Sequence, residues 1–313
     1  MFYLIILLGG KVTGIVPELA NPHFPAVFPN LFCNVHTKKQ IRIYGGRDAK
    51  LGEFPMMVEL RDHIHNRHHC GGFLIHDRYV LTAAHCLVCE DSEPCFDKLE
   101  IMVGDTTRNR FLWLPWSQPP PTRQIIPIRR VSVHEHFSIA YTSNDIALIE
   151  LEKPVKKSKY VDPTVIAKTD PKLYVYCQVV GWGRTEFSNG ASSKKLMTAV
   201  VQIQNSSLCK MTLAGFIGGQ MICAGDLQGR NDSCFGDSGG PLICDKVVVG
   251  IVSYGYNCAM PNYAAAYTDV SYYQGWVRAK LKKLIANATI ESKRLKLFSS
   301  MLYYLIGMII LYF

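Results

Sequence analysis

The stretch Asn231 to Pro241, NDSCFGDSGGP, sets one serine, Ser238, between glycines and places Asp232 and Asp237 close before it. A serine alcohol is a weak nucleophile at neutral pH. It attacks a carbonyl only when a neighbouring base takes its proton and a third group holds that base. The chain offers a candidate for each part: LTAAHC puts His85 after an apolar run and beside a cysteine, and NDIALIEL puts Asp145 at the head of another. Taken singly, each has a plain structural reading. A glycine-flanked serine marks a turn, a histidine after a strand can be a satisfied core residue, and an aspartate before a strand can cap a turn. Together they supply the nucleophile, base and orienting carboxylate of an acyl transfer.

The elements that must position these residues read as short strands. MMVEL, RYVLTAA, IMVG, IALIEL, YCQVVGWG, AVVQIQ and VVVGIVSYG are brief β-branched runs punctuated by Gly, Pro and Asn. Such spacing argues for an all-β barrel or sandwich. One stretch differs: from Gln274 to Ala286, Val277, Leu281, Leu284 and Ile285 share a face while Lys280, Lys282 and Lys283 fall elsewhere, toward the C-terminal end. That pattern predicts a closing helix with its lysines where the dipole favours them. The segment LWLPWSQPPPT, Leu112 to Thr122, reads as a surface loop.

The order TAAHC, DIAL, GDSGGP resembles the chymotrypsin family of serine proteases, in its trypsin-like branch, from Ile43 to the closing helix. The resemblance implies an all-β fold of two six-stranded antiparallel β-barrels with a C-terminal helix and the site between the barrels. It implies a serine endopeptidase working through an acyl-enzyme, with His85, Asp145 and Ser238 as the catalytic set and the N–H groups of Gly236 and Ser238 as the oxyanion hole. By the same resemblance, cleavage after Arg42 in QIRIYGG would free the Ile43 amine to pair with Asp237, so the chain is expected to be a zymogen. Tyr44 stands where the family more often has Val, which would pack the new terminus less well. Asp232 corresponds to the base of a pocket for a substrate Arg or Lys, with Ser233, Ser253, Gly255 and Ala265 around it. The methyl of Ala265 and the ring of Phe235 are expected to make that pocket narrower and turnover slower. The layout is similar to membrane-anchored members of the family.

The resemblance also implies the disulfides Cys70 with Cys86, Cys177 with Cys244, Cys209 with Cys223, and Cys234 with Cys258. Cys89 and Cys95 bracket a short acidic loop and are expected to staple it. Cys33 is then free or bonded to another chain, because the segment 160–168, where a propeptide partner would lie, has no cysteine. Expected partners are protein or peptide substrates, an activating trypsin-like protease, serine protease inhibitors and, through the C-terminal tail, a membrane. No cofactor and no metal are expected.

Composition bounds these readings. Apolar residues make up 48% of the 313, enough for one large core or two smaller ones. Eleven cysteines at wide spacings read as a disulfide framework in an oxidising compartment. The net charge of +9 is dispersed in small groups such as Arg129-Arg130 and Lys156-Lys157, which argues against a nucleic-acid partner. Phe2 to Leu8 is an apolar run consistent with a secretory signal. Leu297 to Phe313 is a second one, shorter than the roughly 20 residues a helix needs to cross a bilayer. Preceded by Asn287-Ala288-Thr289 and a polar spacer, it fits a GPI signal better than a span or a packed helix. The expected organisation is a signal and propeptide region 1–42, a peptidase domain 43–286 and a spacer and hydrophobic tail 287–313, in a protein held at the cell surface. The competing expectation is a weak or inactive membrane-attached homologue that acts by binding.

Three further signals are weaker. RDHIHNRHHC carries His63, His65, His68 and His69 in a predicted loop before Cys70. With no His-x-x-x-His helix and no acidic ligand in support, it reads as a basic loop facing the leaving side of a substrate rather than a metal site. The loop after Gly104 has Arg108 and Arg110 where calcium would need oxygen ligands. Glycosylation sequons begin at Asn205, Asn231 and Asn287, and only the first is expected to be used to advantage, because Asn231 adjoins Asp232.

Overall fold

A computed structural model describes residues 45–88, 96–108, 120–184, 192–290 and 294. The first barrel runs β2 (Met57–Asp62), β3 (Arg67–His76), β4 (Tyr79–Thr82), β5 (Leu99–Val103), β6 (Gln124–Val133) and β7 (Ala147–Leu151). Its spatial order is β2-β3-β4-β7-β6-β5, closed by the pairing of β2 with β5. The second uses β8 (Tyr176–Gly181), β9 (Met197–Ile203), β10 (Met221–Gly225), β11 (Pro241–Cys244), β12 (Val247–Tyr254) and β13 (Ala265–Asp269). Here β8 and β9 close the ring, and the short β1 (Arg47–Asp48) is annexed to β9. Closure leaves neither sheet an open edge, which is how short Val- and Ile-rich runs avoid pairing with other chains.

Apolar side chains from both faces of the strands are fully buried: Leu60, Phe73, Leu81, Ile101 and Ile149 in the first barrel, Val179, Ile251 and Tyr267 in the second. Helix α1 (Ser206–Thr212) lies between β9 and β10 and starts at Asn205, whose side chain accepts from Ser207 N at 2.9 Å. The closing helix α2 spans 274–290. Val277 and Leu284 are buried, and Trp276 and Leu281 pack on the same core. Ile285, expected on that face, is exposed, because contact with the barrel is confined to the narrower line Val277, Leu281, Leu284. Among the described residues, four disulfides join Cys70 to Cys86, Cys177 to Cys244, Cys209 to Cys223 and Cys234 to Cys258. Cys33, Tyr44, Cys89, Cys95, Arg110, most of the Pro-rich segment and the hydrophobic ends lie outside the described residues.

The histidine stretch is not one loop. The turn ends at Asn66, and His68 and His69 already belong to β3. Leu60 pairs with Cys70 but Arg61 pairs with His68, so His69 is an extra residue in the ladder. Such a bulge twists a strand and re-aims its side chains. Here His68 turns inward, its Nε2–H donating to Gly236 O at 2.7 Å, while His69 stays exposed with its Nε2–H donating to Cys86 O at 2.7 Å. In the loop after Gly104, Asp105 is held by Thr107 N at 2.8 Å and by Arg123 Nε at 2.7 Å.

Candidate active site

The residues singled out by type meet where the two barrels abut. His85 sits in a single 3₁₀ turn (Ala84–Cys86) at the end of β4, and the adjacent disulfide ties that turn back to β3. Asp145 lies two residues before β7, which pairs with β4, so the barrel itself brings the two side chains together. Asp145 Oδ2 accepts from His85 Nδ1–H at 2.8 Å and Oδ1 from His85 N at 3.0 Å. Ser253 Oγ, from β12 of the other barrel, donates to the same Oδ2 at 2.6 Å, and Thr268 Oγ1 donates to Asp145 O at 2.8 Å. The carboxylate is therefore gripped from both barrels. Burial opposes its ionisation, but the charge of His85 and these hydrogen bonds hold it below the ordinary value. For His85, burial disfavours the charged ring, while the charge and hydrogen bond of Asp145 outweigh it and raise the imidazole.

Ser238 lies in the loop before β11. Its carbonyl accepts from Gly71 N of β3 at 2.8 Å, which seats the loop against the first barrel. No hydrogen bond joins Ser238 Oγ to His85 Nε2 in this conformation, where Nε2 lies 3.8 Å from Cys86 Sγ. Catalytic bonds of this kind are commonly long in resting sites and tighten on binding. The turn depends on glycine: Gly236 has φ +97° and Gly239 φ +78°, values that side chains adopt only under strain. Phe235 O accepts from Arg184 N at 2.7 Å, and a trans peptide then points Gly236 N–H the opposite way. Among the described residues, neither Gly236 N nor Ser238 N has an acceptor, which leaves two donors beside one alcohol. That arrangement can stabilise an oxyanion.

Two buried aspartates flank this loop. Asp237 is fully buried and accepts from Gly183 N at 2.7 Å and Cys234 N at 2.9 Å. Gly181 and Gly183 make the space for it, since a Cβ on either would lie 2.2 or 2.5 Å from its carboxyl group. Burial pushes this carboxyl up to about 6, against the pull of the two N–H donors. Asp232 is also buried: Oδ2 accepts from Ala259 N at 2.8 Å, and Oδ1 has no partner. Burial pushes it up to about 7.

A pocket of about 170 Å³ opens beside Ser238, lined by Ser233, Phe235, Ser253, Tyr254, Gly255, Asn257 and Ala265 among others. The Cys234–Cys258 disulfide joins its two walls. Asp232 is not among its lining residues, although Ser233 beside it is. Ser253 Oγ is committed to Asp145 rather than to the pocket, and Ser233 Oγ lies 3.1 Å from Tyr267 OH. Ala265 faces Gly255 across the slot, where a Cβ on Gly255 would be 3.3 Å from the Ala265 methyl. Phe235 stands exposed at the lip with the Arg184 guanidinium 5.5 Å from its ring centroid. At the first described residue, Gly45 O accepts from Asn231 Nδ2 at 3.0 Å once that amide is oriented to satisfy both its neighbours.

Sequence reasoning missed His68, Glu59 and Arg108 as neighbours of the loop that carries Ser238. The doublet His68-His69 just before a disulfide cysteine was visible, but the bulge that turns His68 inward was not.

Two closed antiparallel barrels meeting at a serine, a histidine and an aspartate define a serine protease, a hydrolase of peptide bonds. The chain belongs to the trypsin family, whose match spans residues 43–277. It is 34% identical to a trypsin of Phaedon cochleariae, over 78% of this chain and 90% of that one. It is 33% identical to serine protease 1 of Rattus norvegicus, over 76% of this chain and 89% of that one. Among solved structures it is similar to neuropsin, a serine protease expressed in the limbic system of mouse brain, with a TM-score of 0.66 at 31% identity, covering 75% of this chain and 98% of that one.

Proposed function

We propose that this serine protease is made as a zymogen, becomes active on cleavage after Arg42, and cuts peptide bonds after Arg or Lys. The observation that carries the specificity is Asp232, a buried carboxylate with one oxygen unpartnered next to a pocket wall. A buried anion needs a cation, and a substrate guanidinium or ammonium supplies one. Asp237 supports the activation step in the same way. It has two N–H donors and, among the described residues, no salt bridge, and the ammonium of Ile43 released by the cut would complete it.

In this reading Ser238 attacks the scissile carbonyl while His85 Nε2 takes its proton. The oxyanion forms toward Gly236 N and Ser238 N, and His85 then protonates the leaving amine. The acyl-enzyme is released by water activated through the same nitrogen. Asp145, fixed from both barrels, keeps Nδ1 protonated so that Nε2 stays free to act. Protein or peptide substrates follow, with an activating protease of trypsin-like preference and protease inhibitors as partners. The four disulfides fit an extracellular protein, and we place it at the cell surface through the apolar tail.

The test is to cut the full chain after Arg42 and compare Arg, Lys and Phe substrates, with Ser238→Ala as control. Turnover of Arg or Lys substrates that is lost in the control is expected. A second reading, a binding protein with a silent site, is favoured by the absence of Asp232 from the pocket lining. No turnover from a protein with a confirmed Ile43 terminus would establish it instead.

A further inference from the structure

The buried side of the Gly236 turn carries a charged network that the triad does not use. Glu59 on β2 and His68 on β3 are both buried, their side chains 3% and 1% exposed, with His68 Nδ1 3.1 Å from Glu59 Oε1. Arg108 Nε reaches the same oxygen at 2.8 Å, and Arg108 Nη1 donates across to Ser193 O at 3.1 Å. The other ring nitrogen, Nε2, is 2.7 Å from Gly236 O. The His68 ring also lies 6.1 Å from that of Trp182.

We propose that Glu59 is a positioning residue for the acyl transfer, acting through His68 on the peptide that presents Gly236 N–H. Both ring nitrogens of His68 face acceptors, a carboxylate on one side and a carbonyl on the other, so each must carry hydrogen. A neutral imidazole has only one such hydrogen. Glu59, itself held by Arg108 Nε at 2.8 Å, fixes the Nδ1 side of the ring and so keeps Nε2–H aimed at Gly236 O. Both peptide planes around Gly236 are then pinned, Phe235 O by Arg184 N and Gly236 O by His68 Nε2–H. With φ at +97° and no side chain, Gly236 has no other restraint on its orientation. The bulge at His69 is what turns His68 toward it. The inference rests on reading Gly236 and Ser238 as the oxyanion donors and is independent of the residue preferred on the substrate.

The experiment compares wild type with Glu59→Gln, using active enzyme titrated per Ser238. The probes are a peptide aldehyde carrying the best-cleaved residue, which forms a tetrahedral adduct, and the alcohol of the same peptide, which does not. Losing an oxyanion donor outright costs about a hundredfold to a thousandfold in kcat. A misaligned one should lower kcat and aldehyde affinity together by about tenfold or more, with alcohol affinity and KM unchanged. His68→Phe keeps the ring volume beside Trp182 and leaves the Glu59–Arg108 pair intact, and it should show the same split if Glu59→Gln does not fold. In full chain labelled with ¹⁵N-histidine, His68 should show two ring N–H signals, one of them lost in Glu59→Gln. Aldehyde and alcohol affinities that move together, or do not move, in the variants would overturn the role of Glu59. An aldehyde no tighter than its alcohol on wild type would overturn the oxyanion assignment beneath it.

Discussion

Asp232 and His85 act on different constants, and this separates them experimentally. Asp232, at about 7 because of burial, attracts a cationic side chain only when ionised. His85 must be neutral to take a proton, and Asp145 raises it. As pH falls, KM for an Arg substrate should therefore rise below about pH 7 through Asp232, while kcat falls through His85. Asp232→Asn should remove the pH dependence of KM, keep that of kcat, and cost about a hundredfold in kcat/KM, as expected for a lost charge-assisted hydrogen bond of about 3 kcal/mol. A KM that stays flat across the neutral range would remove Asp232 from recognition. Two of the three sequons divide by the same kind of reasoning. Asn205 is exposed and uses only its oxygen as a helix cap, whereas Asn231 donates its amide to Gly45 O and Arg230 O. Mass spectrometry of secreted protein should find glycan on Asn205 and none on Asn231.

Strand β3 is the element that couples the barrels. Within four residues it sends His68 to Gly236 O, His69 to Cys86 O, Cys70 to Cys86 and Gly71 N to Ser238 O. Gly71 has no slack: a Cβ there would lie 3.1 Å from the Gly240 backbone. Gly71→Ala should leave both barrels folded but push the nucleophile loop by a few tenths of an ångström, lowering kcat several-fold with little change in KM. Equal losses in folding yield and rate per titrated site would show a structural defect instead. The element also marks the limit of legibility. The strand runs and the three triad residues were plain in the sequence, because apolar patterning and residue chemistry are local. The inward turn of His68 depends on a one-residue mismatch between β2 and β3, and periodicity within either strand says nothing about that. Ile285 failed for a similar reason, since the helical stripe predicts a face but not how far along it the barrel extends.

At the scale of the molecule, Asp237 links activation to stability, because its buried carboxyl forms no salt bridge among the described residues. Its folded-state value, about 6, lies above the 3.8 of a free aspartate. Between those values the folded chain binds more protons than the unfolded one, so stability is full below the lower value and declines as pH rises through the upper. The loss amounts to about 3 kcal/mol by neutral pH. Cleavage after Arg42 would place an ammonium against the ionised form and remove that loss. Thermal unfolding of the full chain, held uncut by Arg42→Gln, should therefore show a Tm that falls from about pH 4.5 to 7, while the cut enzyme falls less. The gap between the two forms should widen as pH rises. Asp237→Asn should abolish the widening, because an amide neither titrates nor needs the ammonium. Parallel pH profiles for the cut and uncut chains would mean that the new terminus does not reach Asp237, and the zymogen reading would fail with it.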